Sequence, residues 1–533
     1  MNLNDLLDRS AARKPAAVAL LAVKDGAEEE TSFQALRHLV LRAAAAFRQA
    51  GLAKGDHVCI VHRNDPAFVV AYLGLVRIGA VAVPINFMIT KPDELAYMFR
   101  HCGAKAVVAS REFLKGVQGA QKDCPALTRV WTTDERRRTG ARRGGPEAGA
   151  TENFWDAVDA QPPFEDASEV SAEDAAAVLY TSGTTGRPKG VVLTHGNLVS
   201  NCDASISAMG LSESDVSMTL LPMFHSFAWT ACVLIPLRLG GKNVIVASLT
   251  PPKPWLTLMG RHRVSVFAAV PQVYSLLAKQ ACGLKAWVLR YWFFRKVRIA
   301  VSGAAPLSPQ THREFAAAFG LEILEGYGLT ETSPVATINR PGRLRVGSVG
   351  PPIADVSVAV AAEDGALLPE GQEGEVLIKG PNVMKGYLHD AQATRAAMTP
   401  SGWFKTGDIG VVDADGYLHI RDRKKDMIIV KGLKVFSAQV EQVISGHPDV
   451  AEAAVVGIPD ADNDERIKAF IVLRQGAAAD TAELHRFCRE KLDAYKRPRD
   501  IELVPELPKN ALQKVLKRVL RDAELAKAAR ARP

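Results

Sequence analysis

Features that would mark a disulfide-built or membrane-spanning protein are missing from this sequence. Its seven cysteines, Cys59, Cys102, Cys124, Cys202, Cys232, Cys282 and Cys488, stand singly, and no two have CxxC spacing. That excludes a disulfide framework and a structural zinc site, and sets the expectation of a reducing, cytoplasmic setting. The opening residues, MNLNDLLDRSAARKP, carry no apolar stretch of signal-peptide type. The longest apolar window, VVAYLGLVRIGAVAVPINFMI, is broken by Arg77, glycines and Pro84. It reads as a buried helix, a turn and a strand rather than a membrane span. No repeat of solenoid period is present. The net charge of +8 is moderate for 533 residues and selects no partner by itself.

What the chain does have is alternation. In PDELAYMFRHCGAKAVVAS, Pro92 and Asp93 open a helix, Gly103 follows its end, and AVVA continues as a buried strand. Repetition of such units predicts an α/β fold with largely parallel sheets covered by helices. The Arg- and Gly-rich run DERRRTGARRGGPEAGA, Asp134 to Ala150, lacks periodicity and reads as a solvated surface loop. From about Asp422 the texture changes to a charge run and then short strands and helices, the pattern of a small α+β domain. The expected division is a large N-terminal domain, 1–424, and a small C-terminal one, 425–533. A charge-rich joint between them suggests relative motion.

One short stretch, YTSGTTGRPKGV from Tyr180 to Val191, carries the chemistry. It follows the apolar AAAVLY directly, so a donor-rich loop leaves the end of a buried strand. Gly183, Gly186 and Gly190 let the backbone turn tightly and approach a ligand. Thr181, Ser182, Thr184 and Thr185 offer hydroxyls, successive N–H groups can cradle an anion, and Lys189 adds a positive charge. A polyphosphate is the guest this favours. A Walker loop is excluded, because Gly186 is followed by Arg-Pro-Lys rather than Lys-Ser/Thr at the required spacing.

This run resembles the signature of the adenylate-forming (ANL) superfamily, which includes acyl-CoA synthetases, aryl-CoA ligases, adenylation domains and beetle luciferases. LPMFHSFAWT, AVPQVYSLL, VSGAAPLS, LEGYGLTETSP, GWFKTGD, IRDRKKDMIIVKG and LPKNALQKVLKR also resemble family motifs, in family order across essentially the whole chain. The resemblance implies a large multi-subdomain α/β domain and a small mobile α+β lid. It also implies a two-step reaction: a carboxylate attacks ATP to give an acyl-adenylate and pyrophosphate, then the thiol of coenzyme A displaces AMP.

The resemblance assigns roles by position. Glu331 and Thr181 hold Mg2+, and Thr330 contacts the α-phosphate. Gly303, Ala304 and Ala305, with Glu325, Gly326, Tyr327 and Gly328, form the adenine slot, Tyr327 stacking on the purine. Asp408 accepts the ribose hydroxyls, Arg423 reaches the same ribose, and Lys425 is the pivot. Lys514 bridges carboxylate and phosphate in adenylation, whereas Lys431 and Gly432 serve the thioester step. His225 gates the carboxylate end of an acyl pocket walled by Phe224 and Trp229.

Two positions depart from the family pattern: Gln513 stands where glycine usually precedes the lysine, and Gln439 where glutamate is usual. MFHSFAW contains no carboxylate to pair with a substrate amine, which weighs against amino acids. The expectation is a medium- to long-chain fatty acid–CoA ligase. Alternatives are an aryl acid of coumarate type, or a ligase that loads a carrier protein instead of coenzyme A. Nucleic acid is not an expected partner. The aromatic and cationic stretch VLRYWFFRKVR leaves peripheral membrane contact open, and a homodimer is likewise left open.

Overall fold

The computed structural model describes residues 1–24, 26–133, 151–164, 170–181, 188–430, 433–459, 465–510 and 513–530. The Arg- and Gly-rich run, Asp134 to Ala150, lies outside them. The chain divides into two compact units. The first comprises Met1–Val346, Gly350–Ser357 and Lys379–Phe404; the second comprises Gly347–Val349, Val358–Ile378 and Lys405–Pro533.

The predicted alternation becomes two eight-stranded sheets in the first unit. One runs Val335–Ile338, Ile323–Gly328, Ile299–Ser302, Val266–Ala269, Val216–Thr219, Lys242–Ile245, Val18–Lys24, Ala27–Ser32. Its interior pairs are parallel and its two edge pairs antiparallel. The other runs Gly386–Tyr387, Lys189–Thr194, Ala175–Thr181, Val81–Pro84, His57–Val61, Ala106–Ala109, Arg129–Thr132, Thr151–Asn153. Strands such as AVVA and VFAA are buried along their whole length, as parallel strands covered on both faces must be.

Local chemistry sets the element ends. Asp65 caps the helix Pro66–Arg77 by accepting from the Ala67 N–H, and that helix is almost wholly buried. The long apolar window is therefore a helix, a turn and the strand Val81–Pro84, as read from the sequence. The helix Pro92–Cys102 ends at Gly103 in the left-handed region, and the strand Ala106–Ala109 follows. Among the described residues no helix is long and apolar enough to cross a membrane.

The second unit carries a four-stranded sheet, Ser357–Ala361, Glu373–Lys379, Phe404–Val412, Leu418–Arg423, and the hairpin Ile428–Val430 with Leu433–Val435. A three-stranded sheet follows, Val450–Pro459, Glu465–Leu473, Asp500–Leu503, with helices Ser437–Ile444, Thr481–Lys491 and Lys517–Arg530. Its core is aliphatic, built on Ile428, Val435, Val440, Val455, Ile467 and Leu484. A buried polar network ties helices to sheet. The Ser437 hydroxyl donates to Asp422, and the Lys517 ammonium lies 2.7 Å from both Ser437 Oγ and Glu441 Oε1. Gln439 is exposed on the same helix, so its departure from the family pattern leaves this pairing untouched.

Candidate active site

Strands Ala175–Thr181 and Lys189–Thr194 pair antiparallel, with Thr181 opposite Lys189. Residues 182–187 join them and lie outside the described residues, taking Ser182, Gly183, Thr184 and Thr185 with them. What the structure adds is a partner for the exit of this loop. The Lys189 ammonium lies 5.0 Å from the centroid of the Tyr387 ring, and the Tyr387 hydroxyl donates to Glu331 Oε1 at 3.0 Å. Burial, reinforced by the Glu331 charge, pushes the phenol well above its usual range, so it stays a proton donor. Tyr387 gets there because its short strand, Gly386–Tyr387, pairs with the strand that Lys189 begins.

The turn Thr330–Thr332 that carries Glu331 is held from three sides. The Asn201 and Asn382 side-chain amides each donate to the Thr332 and Val335 carbonyls. The Thr230 hydroxyl donates to the Ser333 carbonyl at 3.1 Å, and the Glu331 carbonyl accepts from Met384 N–H at 2.8 Å. A buried carboxylate on so braced a turn is a fixed hard oxygen donor. With the Thr181 hydroxyl it is the donor chemistry that a magnesium ion takes.

Two parallel strands, Ile299–Ser302 and Ile323–Gly328, end side by side with Ser302 opposite Glu325. Their C-terminal residues, Gly303-Ala304-Ala305 and Gly326-Tyr327-Gly328, therefore sit together. Glu325 is buried and accepts from the Leu307 N–H at 2.9 Å, which holds the first loop to the second strand; burial raises its carboxyl to about 7. Gly328 is obligatory: a Cβ there would sit 1.8 Å from the Pro334 carbonyl oxygen. At Gly303 an added Cβ would meet the Phe227 ring at 3.4 Å. Tyr327 and Thr330 are half-buried.

His225 caps the short helix Ser226–Ala228, its Nδ1 accepting from the Phe227 N–H at 3.2 Å. That leaves Nε2 to carry the proton of a neutral ring. Phe224 meets Phe87 edge-on at 5.5 Å. Trp229 is buried against Phe68 and Tyr72, with ring centroids at 5.3 and 4.2 Å.

In the second unit, Asp408 and Arg423 face each other across an antiparallel pair, 3.6 Å apart. Asp408 is buried; its N–H bonds to Thr406 Oγ1, and Thr406 donates to the Val376 carbonyl. Lys425 follows on an exposed turn, where desolvation and then Arg423 hold its ammonium below the ordinary value. Lys514 is half-buried near the same residues. Desolvation first, then the Arg423 charge, bring its ammonium down to about 8, with Asp408 and Asp426 opposing. Among the described residues no carboxylate lies within ion-pair distance of it, whereas Lys517 is committed to Glu441. Gln513 sits at φ +60°, a left-handed conformation that a glycine would adopt without strain. Lys431 and Gly432 lie outside the described residues.

The model of the AMP-binding enzyme family matches residues 7–388, and that of its C-terminal domain matches 439–514. The chain belongs to the AMP-binding enzyme family. It is thus an ANL-superfamily acyl-CoA synthetase, an ATP-using acid–thiol ligase that forms an adenylate. The enzyme is similar to a feruloyl-CoA synthase of an Amycolatopsis species, 34% identical over 93% of this chain and 94% of that one. It is also similar to a long-chain-fatty-acid–CoA ligase of Bacillus subtilis (strain 168), 30% identical over 98% and 94%. Among solved structures it resembles the anthranilate CoA ligase AuaEII in complex with anthranoyl-AMP. That match has a TM-score of 0.88 and 29% identity, over 99% of this chain and 98% of the other. The large α/β domain with a small C-terminal domain, expected from the sequence, is the architecture of these enzymes.

Within the AMP-binding enzyme, the structure brings Lys189 and Glu331 together, and the two halves of the adenine slot likewise. It also gathers Asp408, Arg423, Lys425 and Lys514. The sequence reading missed Tyr387, Asn201, Asn382, Thr230 and Phe227. Of these, Phe227 and Thr230 carried a signal, lying inside LPMFHSFAWT; a lone Tyr or Asn outside any motif carries none.

Proposed function

We propose that this enzyme activates a medium- to long-chain fatty acid as the acyl-adenylate and transfers the acyl group to coenzyme A. In the first step the carboxylate oxygen bonds to the α-phosphorus of ATP and pyrophosphate leaves. In the second the thiol sulfur bonds to the acyl carbon, AMP leaves, and the thiol proton goes to solvent. Glu331 and Thr181 would hold a magnesium ion, whose chemistry is neutralisation of the triphosphate. Lys189 and the 182–185 hydroxyls grip the outer phosphates, with Tyr387 fixing Glu331. Tyr327 stacks on the purine, Asp408 and Arg423 orient the ribose, and Lys514 steadies the oxygens of acid and α-phosphate. Lys431 and Gly432 serve the thioester step.

The observation behind the apolar acid is a lack of carboxylates: no Asp or Glu occurs between Asp215 and Glu314, the stretch that supplies Phe224, His225 and Trp229. A pocket walled from it would offer nothing to a substrate amine and much to a hydrocarbon. A second reading, an aryl acid, is favoured by one feature. Phe87 stacks with Phe113 at 5.7 Å and meets Phe224, an aromatic cluster suited to a flat ring. The discriminating experiment is AMP release in the presence of coenzyme A across an acid panel. The fatty reading expects kcat/KM to rise with chain length through the medium range. A hydroxycinnamic or benzoic acid outperforming every alkanoic acid would replace it with the aryl reading.

A further inference from the structure

The same carboxylate-free stretch places an unusual surface on the first unit. Helix Gly283–Val288 continues through a wider turn, Leu289–Phe293. Its inner side is anchored by buried Leu289 and by Phe294, which packs on Phe267, Phe315 and Phe319. Its outer side is apolar as well. Leu284 is 79% exposed, Trp287 59%, Tyr291 53% and Trp292 62%. Leu284, Trp287 and Tyr291 share one face by their i, i+3, i+7 spacing, and the Trp287 and Tyr291 rings lie 5.7 Å apart. Folding that seats Leu289 and Phe294 while leaving four large apolar side chains in water calls for an external cover.

Cations surround this face. Lys279 precedes it, Lys285 lies within it, and Arg295 and Lys296 follow, all exposed. Arg290 lies over the Tyr291 ring and Arg295 over Trp292. Among the described residues none of these five cations forms an ion pair. Several other basic residues of the stretch are neutralised, as in Arg298 with Asp215 and Lys242 with Glu30.

We infer that this face is a peripheral membrane anchor, seating its indoles, tyrosine and leucine at headgroup depth in an anionic bilayer. Amphipathic rings at the interface with lysine and arginine against lipid phosphates is the chemistry such anchors use. A second copy of the chain would bring cation against cation, with no carboxylate in the stretch to pair them. Nucleic acid would match the charge but has no use for a leucine left almost wholly in solvent. The inference stands apart from the identity of the acid.

The test uses the full-length enzyme and phosphatidylcholine vesicles with and without phosphatidylglycerol. Co-sedimentation is expected with the anionic vesicles only, weakening as salt is raised, with a blue shift of tryptophan emission on binding. The double variant Trp287→Ser/Trp292→Ser and, separately, Lys285→Glu/Lys296→Glu should each lose about tenfold or more in vesicle affinity. Both should keep the parent's circular dichroism and its vesicle-free activity on a short, water-soluble acid. Equal binding by parent and variants, or no binding to anionic vesicles, would overturn the inference. So would a dimer in sedimentation equilibrium, or duplex DNA binding, that the same variants abolish.

Discussion

Lys514→Ala lowers acid-dependent pyrophosphate release by about 10²-fold or more, while thioester formation from supplied acyl-adenylate continues near the parent rate. The expectation rests on how the two neighbouring lysines are spent. Lys517 neutralises Glu441 inside the polar network that ties the terminal helix to its unit. Among the described residues Lys514 pairs with no carboxylate and instead sits against Arg423 and Lys425, which makes its charge costly until an anion arrives. Desolvation and those cations bring its folded-state pKa to about 8, below the ordinary 10.5 of a lysine. Two pH effects follow. The kcat/KM of adenylation should fall as pH rises through about 8, and Lys514→Arg should move that limb upward even as it lowers the rate. For stability the sign is opposite. A depressed lysine pKa costs the folded state most below about 8, and the cost is relieved as pH climbs toward 10.5. Lys514→Ala should therefore unfold no earlier than the parent at pH 7. Separate assays of the two half-reactions, with thermal melts, check all of this. Loss of both half-reactions together would assign Lys514 to general structure.

Glu331→Gln should lower adenylation on the order of 10²-fold and raise the magnesium concentration needed for half-maximal rate. The replacement is isosteric and keeps the hydrogen bond from Tyr387, so the braced turn should survive. Tyr387→Phe removes only that donor to a charged acceptor, and a loss of about tenfold is expected, with less change in magnesium requirement. A magnesium titration of initial rates on the three proteins reads both effects. An unchanged magnesium dependence in Glu331→Gln would remove the metal role from this carboxylate.

Much of this was legible in the sequence because it lives in local pattern. Period and punctuation gave the helix Pro92–Cys102, its Gly103 stop and the buried strand after it. The motif runs foretold that Lys189, Glu331 and Tyr327 would share one unit; the expected division at 424/425 put Asp408 with them, whereas Asp408 falls in the unit that carries Lys514. The four-stranded sheet's grouping with the C-terminal segment was not legible, because it is a matter of long-range packing. The bracing of Glu331 was hidden for the same reason. Asn201, Asn382 and Thr230 come from separate segments and act through one or two hydrogen bonds each to backbone carbonyls, a role that leaves no periodic trace. Tyr387 was hidden by its setting on a two-residue strand, whose partner is fixed only by sheet formation. At Gln513 the sequence flagged an oddity, and the backbone supplies its physical content: a non-glycine residue held at positive φ next to Lys514.

The central claim is that this chain makes an acyl-adenylate from ATP and an organic acid. Isotope exchange between pyrophosphate and ATP, without coenzyme A, tests it directly. The account predicts exchange that requires both a carboxylic acid and magnesium and that is lost in Lys514→Ala. Exchange without any acid, or none with any alkanoic or aryl acid supplied, would contradict it.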